Sequence, residues 1–257
     1  VASNAPVVTR ALSPADYVAQ AIGIAEKIRA SAILGEDGSA TWFGPQYLPE
    51  SGRYQLSILS FNLYDGLVGV GLFLAALARA TGDAAWRNLA LAAFKSTREG
   101  LAKEFQAMIE NGGVGGTSGV PSAIYAMVKA GQWLDDATLI DEARAAAAKL
   151  TREQIDADKA LDIIAGSAGG ILGLLALYDA TGDANALARA VDCGEHLLNA
   201  RTETHTGQRA WKGIAQYALA GYSHGAAGFG YALLRLAHAS GRADFRAAAE
   251  EALAYED

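Results

Sequence analysis

Apolar residues in "LVGVGLFLAALARA", from Leu67, recur at three- and four-residue spacing. That is the period of a helix face, not the alternation of a half-buried strand. Beyond Ser51 the only proline is Pro121, and Ala and Leu dominate. Both favour helix, and few breakers interrupt them. The pattern predicts a nearly all-α chain.

Four segments share one layout. They are "DGLVGVGLFLAALARATGD" from Asp65, "GGTSGVPSAIYAMVKAG" from Gly115, "AGSAGGILGLLALYDATGD" from Ala165 and "HGAAGFGYALLRLAHASGR" from His224. Each opens with Gly-x-x-Gly, continues as an apolar helix and closes on a glycine. The first glycines are Gly66, Gly116, Gly166 and Gly225, in steps of 50, 50 and 59 residues. In three segments the closing glycine, Gly82, Gly182 or Gly241, lies 16 positions after the first. A more polar helix follows, such as "AAWRNLALAAFKSTREG" or "RADFRAAAEEALAYED". A step of this length holding two helices is an α-hairpin repeat. The all-round apolar helix belongs inside and its charged partner outside. Such hairpins stack into an open solenoid or close into an α/α toroid. Buried helix is predicted over residues 67–80, 120–130, 170–180 and 228–238. Residues 1–64 read as a lead-in helix and loop, and residues 65–257 as four hairpin repeats.

Half of the 257 residues are apolar, enough for a sizeable core without disulfides. The one cysteine, Cys193, excludes a disulfide framework within the chain and suits a reducing, cytoplasmic setting. A net charge of −7 without a basic run argues against nucleic acid as a partner. The longest apolar run, "IIAGSAGGILGLLALY", is too short and too glycine-rich for a membrane span. The opening "VASNAPVVTR" has neither a starting Met nor the pattern of a signal peptide.

Chemistry is expected where one copy of the repeat departs from the others. The residues before the first glycines are Asp65, Gly115, Ala165 and His224. An imidazole there lies at the positive end of a helix, a placement suited to acid or base work near neutral pH. The alternative is a histidine that merely caps a helix. In the third copy Asp162 stands between Leu161 and Ile163, four residues before its glycine. It reads either as a helix cap or as a site group. In a ring, adjacent inner-helix starts lie side by side, so Asp162 and His224 could face one cavity across 62 residues, a carboxylate beside an imidazole. Cys193 and His196 have the spacing of a metal pair, but lie on a predicted outer helix without further ligands. His205 reads as an exposed loop residue, and His238 as one near a helix C-terminus, where positive charge is favoured. "DGLVGVG" is no dinucleotide motif, because no strand precedes it.

"SHGAAGFGYALLRLA", "DIIAGSAGGILGLLALY" and "NLYDGLVGVGLFLAAL" resemble the lanthionine synthetase C-like family. The opening "LSPADYVAQAIGIAEKI", then "DGSATWFGPQYL" and "LYDG", looks most like the cyclase domain of class II bifunctional lanthipeptide synthetases. The resemblance runs from about Leu12 to the last residue. It implies an α/α toroid of roughly seven hairpins. It implies a cyclase that joins a peptide's Cys thiol to dehydroalanine or dehydrobutyrine, with zinc holding the thiolate. Asp162 and His224 match the family's active-site Asp and His. The family's zinc ligands, a Cys and then a Cys-His pair, belong to glycine turns after the fourth. The chain stops at "ALAYED", and Cys193 does not match them. The resemblance therefore implies an incomplete, open arc of four repeats without the zinc-ligand region, inactive alone, with a dehydratase domain preceding it and a dehydrated precursor peptide as partner. A naturally short homologue is the alternative. Two other functions compete: a zinc-free toroid that binds a peptide or thiol without catalysis, and another α/α-toroid enzyme such as a carbohydrate hydrolase or epimerase.

Overall fold

The computed structural model describes residues 11–48, 51–204, 207–215 and 217–256. His205 and the whole of "VASNAPVVTR" lie outside them. The fold is all-α. Helix α1 (Pro14–Ala30) opens on a capping box between Ser13 and Asp16. Two short ribbons follow, β1 (Ile33–Leu34) with β2 (Ala40–Thr41) and β3 (Phe43–Leu48) with β4 (Arg53–Ile58). Then come α2 (Leu67–Thr81), α3 (Ala84–Lys103), the short α4 (Phe105–Gly112), α5 (Val120–Leu134) and α6 (Ala137–Lys149). The chain continues through the short α7 (Arg152–Asp156), α8 (Ser167–Thr181) and α9 (Ala184–Ala200). A ribbon of β5 (Thr202–Glu203) and β6 (Arg209–Ala210) leads to α10 (Ala226–Ser240) and α11 (Ala243–Glu256).

Four hairpins pair α2 with α3, α5 with α6, α8 with α9 and α10 with α11. The first helices form a row in which α5 packs on α2, α8 on α5 and α10 on α8. The second helices lie behind them, and α6 and α9 join the same sequence. The ends of the row, α2 and α10, do not pack on each other as neighbours do. The apolar sides meet in one core that holds Leu74, Ile124, Leu174 and Leu233, all fully buried.

Local chemistry sets the helix ends. Gly66, Gly166 and Gly225 each stand before an inner helix with φ −122°, −122° and −123°. Gly82, Gly182 and Gly241 end the same helices at φ 71°, 68° and 71°, the left-handed region that glycine enters without strain. Asp83 and Asp183 then accept backbone N–H groups of the next helix, so "TGD" stops one helix and starts another.

The second copy differs from its expected register. Helix α5 is preceded by Gly119, the second glycine of its pair, not by Gly116. It also runs through Gly131 and ends at Asp135, in the left-handed region at φ 51°. Gly115 and Gly116 lie instead against backbone of the next turn: a Cβ on Gly116 would stand 2.7 Å from the Cα of Gly169. Close backbone contact takes the first glycine here, so the helix starts at the second.

The lead-in also differs from a helix and loop. Trp42 follows the β1–β2 ribbon and donates Nε1–H to the Ile28 carbonyl of α1 at 2.7 Å. Trp211 follows the β5–β6 ribbon and donates to the Leu197 carbonyl of α9 at 2.9 Å. Helix, ribbon and tryptophan thus recur, and α1 occupies the place of an outer helix. In the β3–β4 ribbon Phe43, Pro45 and Tyr47 lie opposite Ile58, Leu56 and Tyr54. These six share one apolar, exposed face.

Candidate active site

The turns before the inner helices are tied to one another by backbone hydrogen bonds. Leu63 and Tyr64 N–H donate to the Thr117 carbonyl, Gly116 N–H to that of Ile163, and Ile163 N–H to that of Ser223. Backbones come this close only where no side chain intervenes. A Cβ on Gly169 would lie 2.0 Å from the Ile163 oxygen, and one on Gly228 at 2.0 Å from the Tyr222 oxygen. Both contacts fold a turn onto the start of its own helix. Turn three meets turn four through the Ile163–Ser223 hydrogen bond, and a Cβ on Gly228 would also stand 2.8 Å from the Ile163 side chain.

That contact joins Asp162 to His224. Nδ1 of His224 lies 2.7 Å from Oδ2 of Asp162. A carboxylate only accepts, so Nδ1 carries the hydrogen and donates it, and Nε2 is left for another partner. The Asp162 side chain is fully enclosed, whereas that of His224 is 39% exposed. The other carboxylate oxygen, Oδ1, accepts the Ala165 N–H at 2.8 Å. Asp162 is thus no cap of α8, which begins after Gly166; it fastens the turn and orients the imidazole. His224 stands just outside the N-terminus of α10, one residue before Gly225.

The position of Asp162 depends on two residues that the sequence did not single out. Leu161 has φ 65°, a left-handed backbone at a non-glycine residue. Asp158 holds it there. Its carboxylate accepts the N–H groups of Ala160 and Leu161, and both the N–H and the hydroxyl of Ser167, the first residue of α8. "DADKALD" offers several acids at loop spacing, and only the tertiary turn shows which one organises it.

Beside the pair lies a concavity of about 470 Å³ between α5, α8 and α10. Ile163, next to Asp162, and Tyr222, two residues before His224, line it. The side chains of Asp162 and His224 were expected to face the cavity. Neither is among its lining residues, because the pair belongs to the turns and the cavity lies mainly between the helices. Asp65 lies on another cleft, with Asn62 and Glu104.

The remaining histidines are placed elsewhere. His238 lies exposed in the last turn of α10. His196, on α9, donates Nε2–H to the Asp158 carbonyl at 2.9 Å, which ties the outer helix to the organising turn. Cys193 is wholly buried on the same helix, and burial, then the charges of Asp158 and Asp192, push its thiol pKa far up.

An α-hairpin protein with a carboxylate–imidazole pair at its glycine turns is defined by these features. Residues 57–257 match the model of the family described as lanthionine synthetase C-like protein. The chain belongs to the lanthionine synthetase C-like family. No curated protein matches the sequence.

The family implies zinc, and the donors described here do not fit it. A metal takes cysteine as thiolate, whereas Cys193 is enclosed and held protonated. Nε2 of His196 is committed to a carbonyl. Among the described residues no group of three or more His, Cys, Asp or Glu side chains is placed to hold a metal ion.

Proposed function

We propose that this chain carries the acid–base half of a thioether-forming peptide cyclase. It acts on a lanthipeptide precursor already dehydrated by a separate dehydratase activity, as in the class II synthetases its opening resembles. The observation that carries the reading is the 2.7 Å contact of His224 with Asp162 in a lanthionine synthetase C-like chain.

The chemistry needs one proton moved between two atoms. The cysteine sulfur bonds to the β-carbon of a dehydroalanine or dehydrobutyrine, and the C=C electron pair passes to the α-carbon and its carbonyl as an enolate. The thiol proton leaves sulfur, and a proton ends on the α-carbon. His224 takes or delivers it at Nε2, the nitrogen left free when Nδ1–H binds Asp162. The Asp162 carboxylate fixes that tautomer and favours the imidazolium while the proton is held. The enclosed Cys193 takes no part.

The test is ring closure on dehydrated precursor by the full-length protein, with zinc supplied and the uncatalysed addition subtracted. His224→Asn keeps a polar group before the helix, so stability is expected to be preserved. Closure is expected to slow by about 100-fold or more, the usual scale for losing a general acid or base. Closure at the normal rate by His224→Asn returns the residue to a structural role. The misfit of the donors to zinc favours a second reading, a zinc-free peptide- or thiol-binding module. In that case the unmutated protein binds dehydrated peptide without speeding closure.

A further inference from the structure

The cavity beside the pair is lined in a pattern that follows the repeat. Counting from the glycine before each inner helix, the sixth and tenth residues are Leu72 and Ala76 in α2, and Leu172 and Ala176 in α8. In α5 they are Tyr125 and Lys129, and in α10 Tyr231 and Arg235. Residues four apart share a helix face, so α5 and α10 each present a tyrosine above a cation. Between them α8 presents Leu172, Gly173 and Ala176, and the small Gly173 and Ala176 leave space open.

The charges there do not balance. Arg235 reaches Asp179 at 3.1 Å and the Tyr231 hydroxyl at 3.3 Å. Lys129 has no carboxylate within ion-pair distance among the described residues, and its ammonium stands 6.0 Å from the ring centre of Tyr125. Lys129, Arg235 and Asp179 are the charged groups of the lining, which leaves one positive charge uncompensated. An ammonium without a counter-charge beside a partly enclosed cavity attracts an entering anion. The chain around it is acidic, at −7, so this local excess of positive charge runs against the whole. At the mouth, Tyr222 and Tyr231 stand with ring centres 5.8 Å apart, next to the turn that carries His224.

We propose that this cavity binds a carboxylate of the substrate peptide, with Lys129 as its counter-ion and Tyr125 and Tyr231 as walls, and so sets which peptide segment lies beside His224. The identity of the ligand as a peptide rests on the cyclase reading; the anion site does not. A single net charge matches one carboxylate, from an acidic side chain or from a peptide C-terminus.

The experiment measures equilibrium binding, without a thiol and therefore without ring closure. The probes are three synthetic peptides with a neutral dye: Ala-dehydroalanine-Gly-Glu-Ala amide, the same peptide with Gln for Glu, and the Gln peptide with a free C-terminal carboxylate. The unmutated protein is expected to bind at least one carboxylate peptide about tenfold tighter than the neutral one, the size of a partly buried charged hydrogen bond. Which one binds identifies the source of the carboxylate. Lys129→Met keeps the length of the side chain and is expected to erase the difference. Lys129→Glu is expected to reverse it toward a peptide with Lys in place of Glu. Thermal melts establish that both variants are folded. Equal binding of all three peptides, discrimination that survives in Lys129→Met, or no binding of any peptide overturns the proposal. Failure of the cyclase reading shows instead in the closure assay with His224→Asn, which these measurements leave untouched.

Discussion

Asp158 carries more of the candidate site than its place in a polar loop suggests. Its carboxylate gathers three backbone N–H groups and the Ser167 hydroxyl around Leu161, whose left-handed backbone costs about 1–2 kcal/mol. Burial of the leucine side chain, 6% exposed, offsets that cost. Asp158→Ala leaves donors at a buried helix start without acceptors, a loss of roughly 1–3 kcal/mol. Urea unfolding should register that loss. Asp162 should then shift within its turn, and the histidine signal that reports the Nδ1 hydrogen bond should change in the folded variant. An unchanged signal would show that the Asp162–His224 pair is set without Asp158. Asp162 and His224 were legible in the sequence because the repeat supplies a register: each departs from its copies near a glycine, and adjacent copies are neighbours in space. Asp158 and Leu161 were not, since their roles come from a turn closed by contacts nine residues apart and from a backbone angle that leaves no mark on residue type.

At the scale of the element, the four hairpins show how far a glycine pattern predicts a helix. Three copies keep the pattern, and their inner helices start and stop where it places them. The second copy breaks it at both ends, for one reason at each. Its first glycine is consumed by contact with Gly169, and its closing position is filled by Asp135. Asp135 stands 16 residues after Gly119, the place that Gly82, Gly182 and Gly241 hold in the other copies. It adopts the same left-handed turn, and an L side chain there is strained where glycine is not. Asp135→Gly is therefore expected to stabilise the fold by about 0.5–1 kcal/mol, somewhat reduced by the greater freedom of glycine in the unfolded chain. The check is the denaturation midpoint, with an unchanged slope. Gly182→Ala, at the matching position of α8, should lower the midpoint. If both changes move it in one direction, the equivalence of the two turns is wrong. The β3–β4 ribbon escaped the sequence reading because a helical chain hides a short strand pair. Its alternation of Phe43, Pro45 and Tyr47 is visible once the register is known.

Across the whole molecule, the inner row is held by apolar packing and glycine contacts, joined by the Arg235–Asp179 pair, while further ion pairs tie the outer helices together. Arg98 of α3 meets Glu142 of α6, and Arg201, just after α9, meets Glu251 of α11. Glu195 of α9 joins two further elements. It receives Arg242, just before α11, at 2.6 Å and Arg152 of α7 at 2.8 Å. These hydrogen bonds, that of Arg242 foremost, hold its carboxyl below the usual glutamate range. The folded pKa is depressed, so the stability it contributes is present above the unfolded value near ~4.3 and is lost as pH falls through the folded value. Its side chain is 35% exposed, and solvent and salt screen part of the effect. Glu195→Gln should thus be less stable than the unmutated protein at pH 7, with the gap narrowing as pH falls toward 3. Added salt should shrink the gap at pH 7. Urea unfolding at a series of pH values reads all of this, and two parallel curves would show that Glu195 contributes packing but no charge. The outer tie also bears on the site, because α9 and α11 back α8 and α10, and the turns leading into those helices bring Asp162 to His224. As Glu195 protonates, the hydrogen exchange of the turn amides around Ala165 and Ala226 should quicken before the buried centre of α8 does.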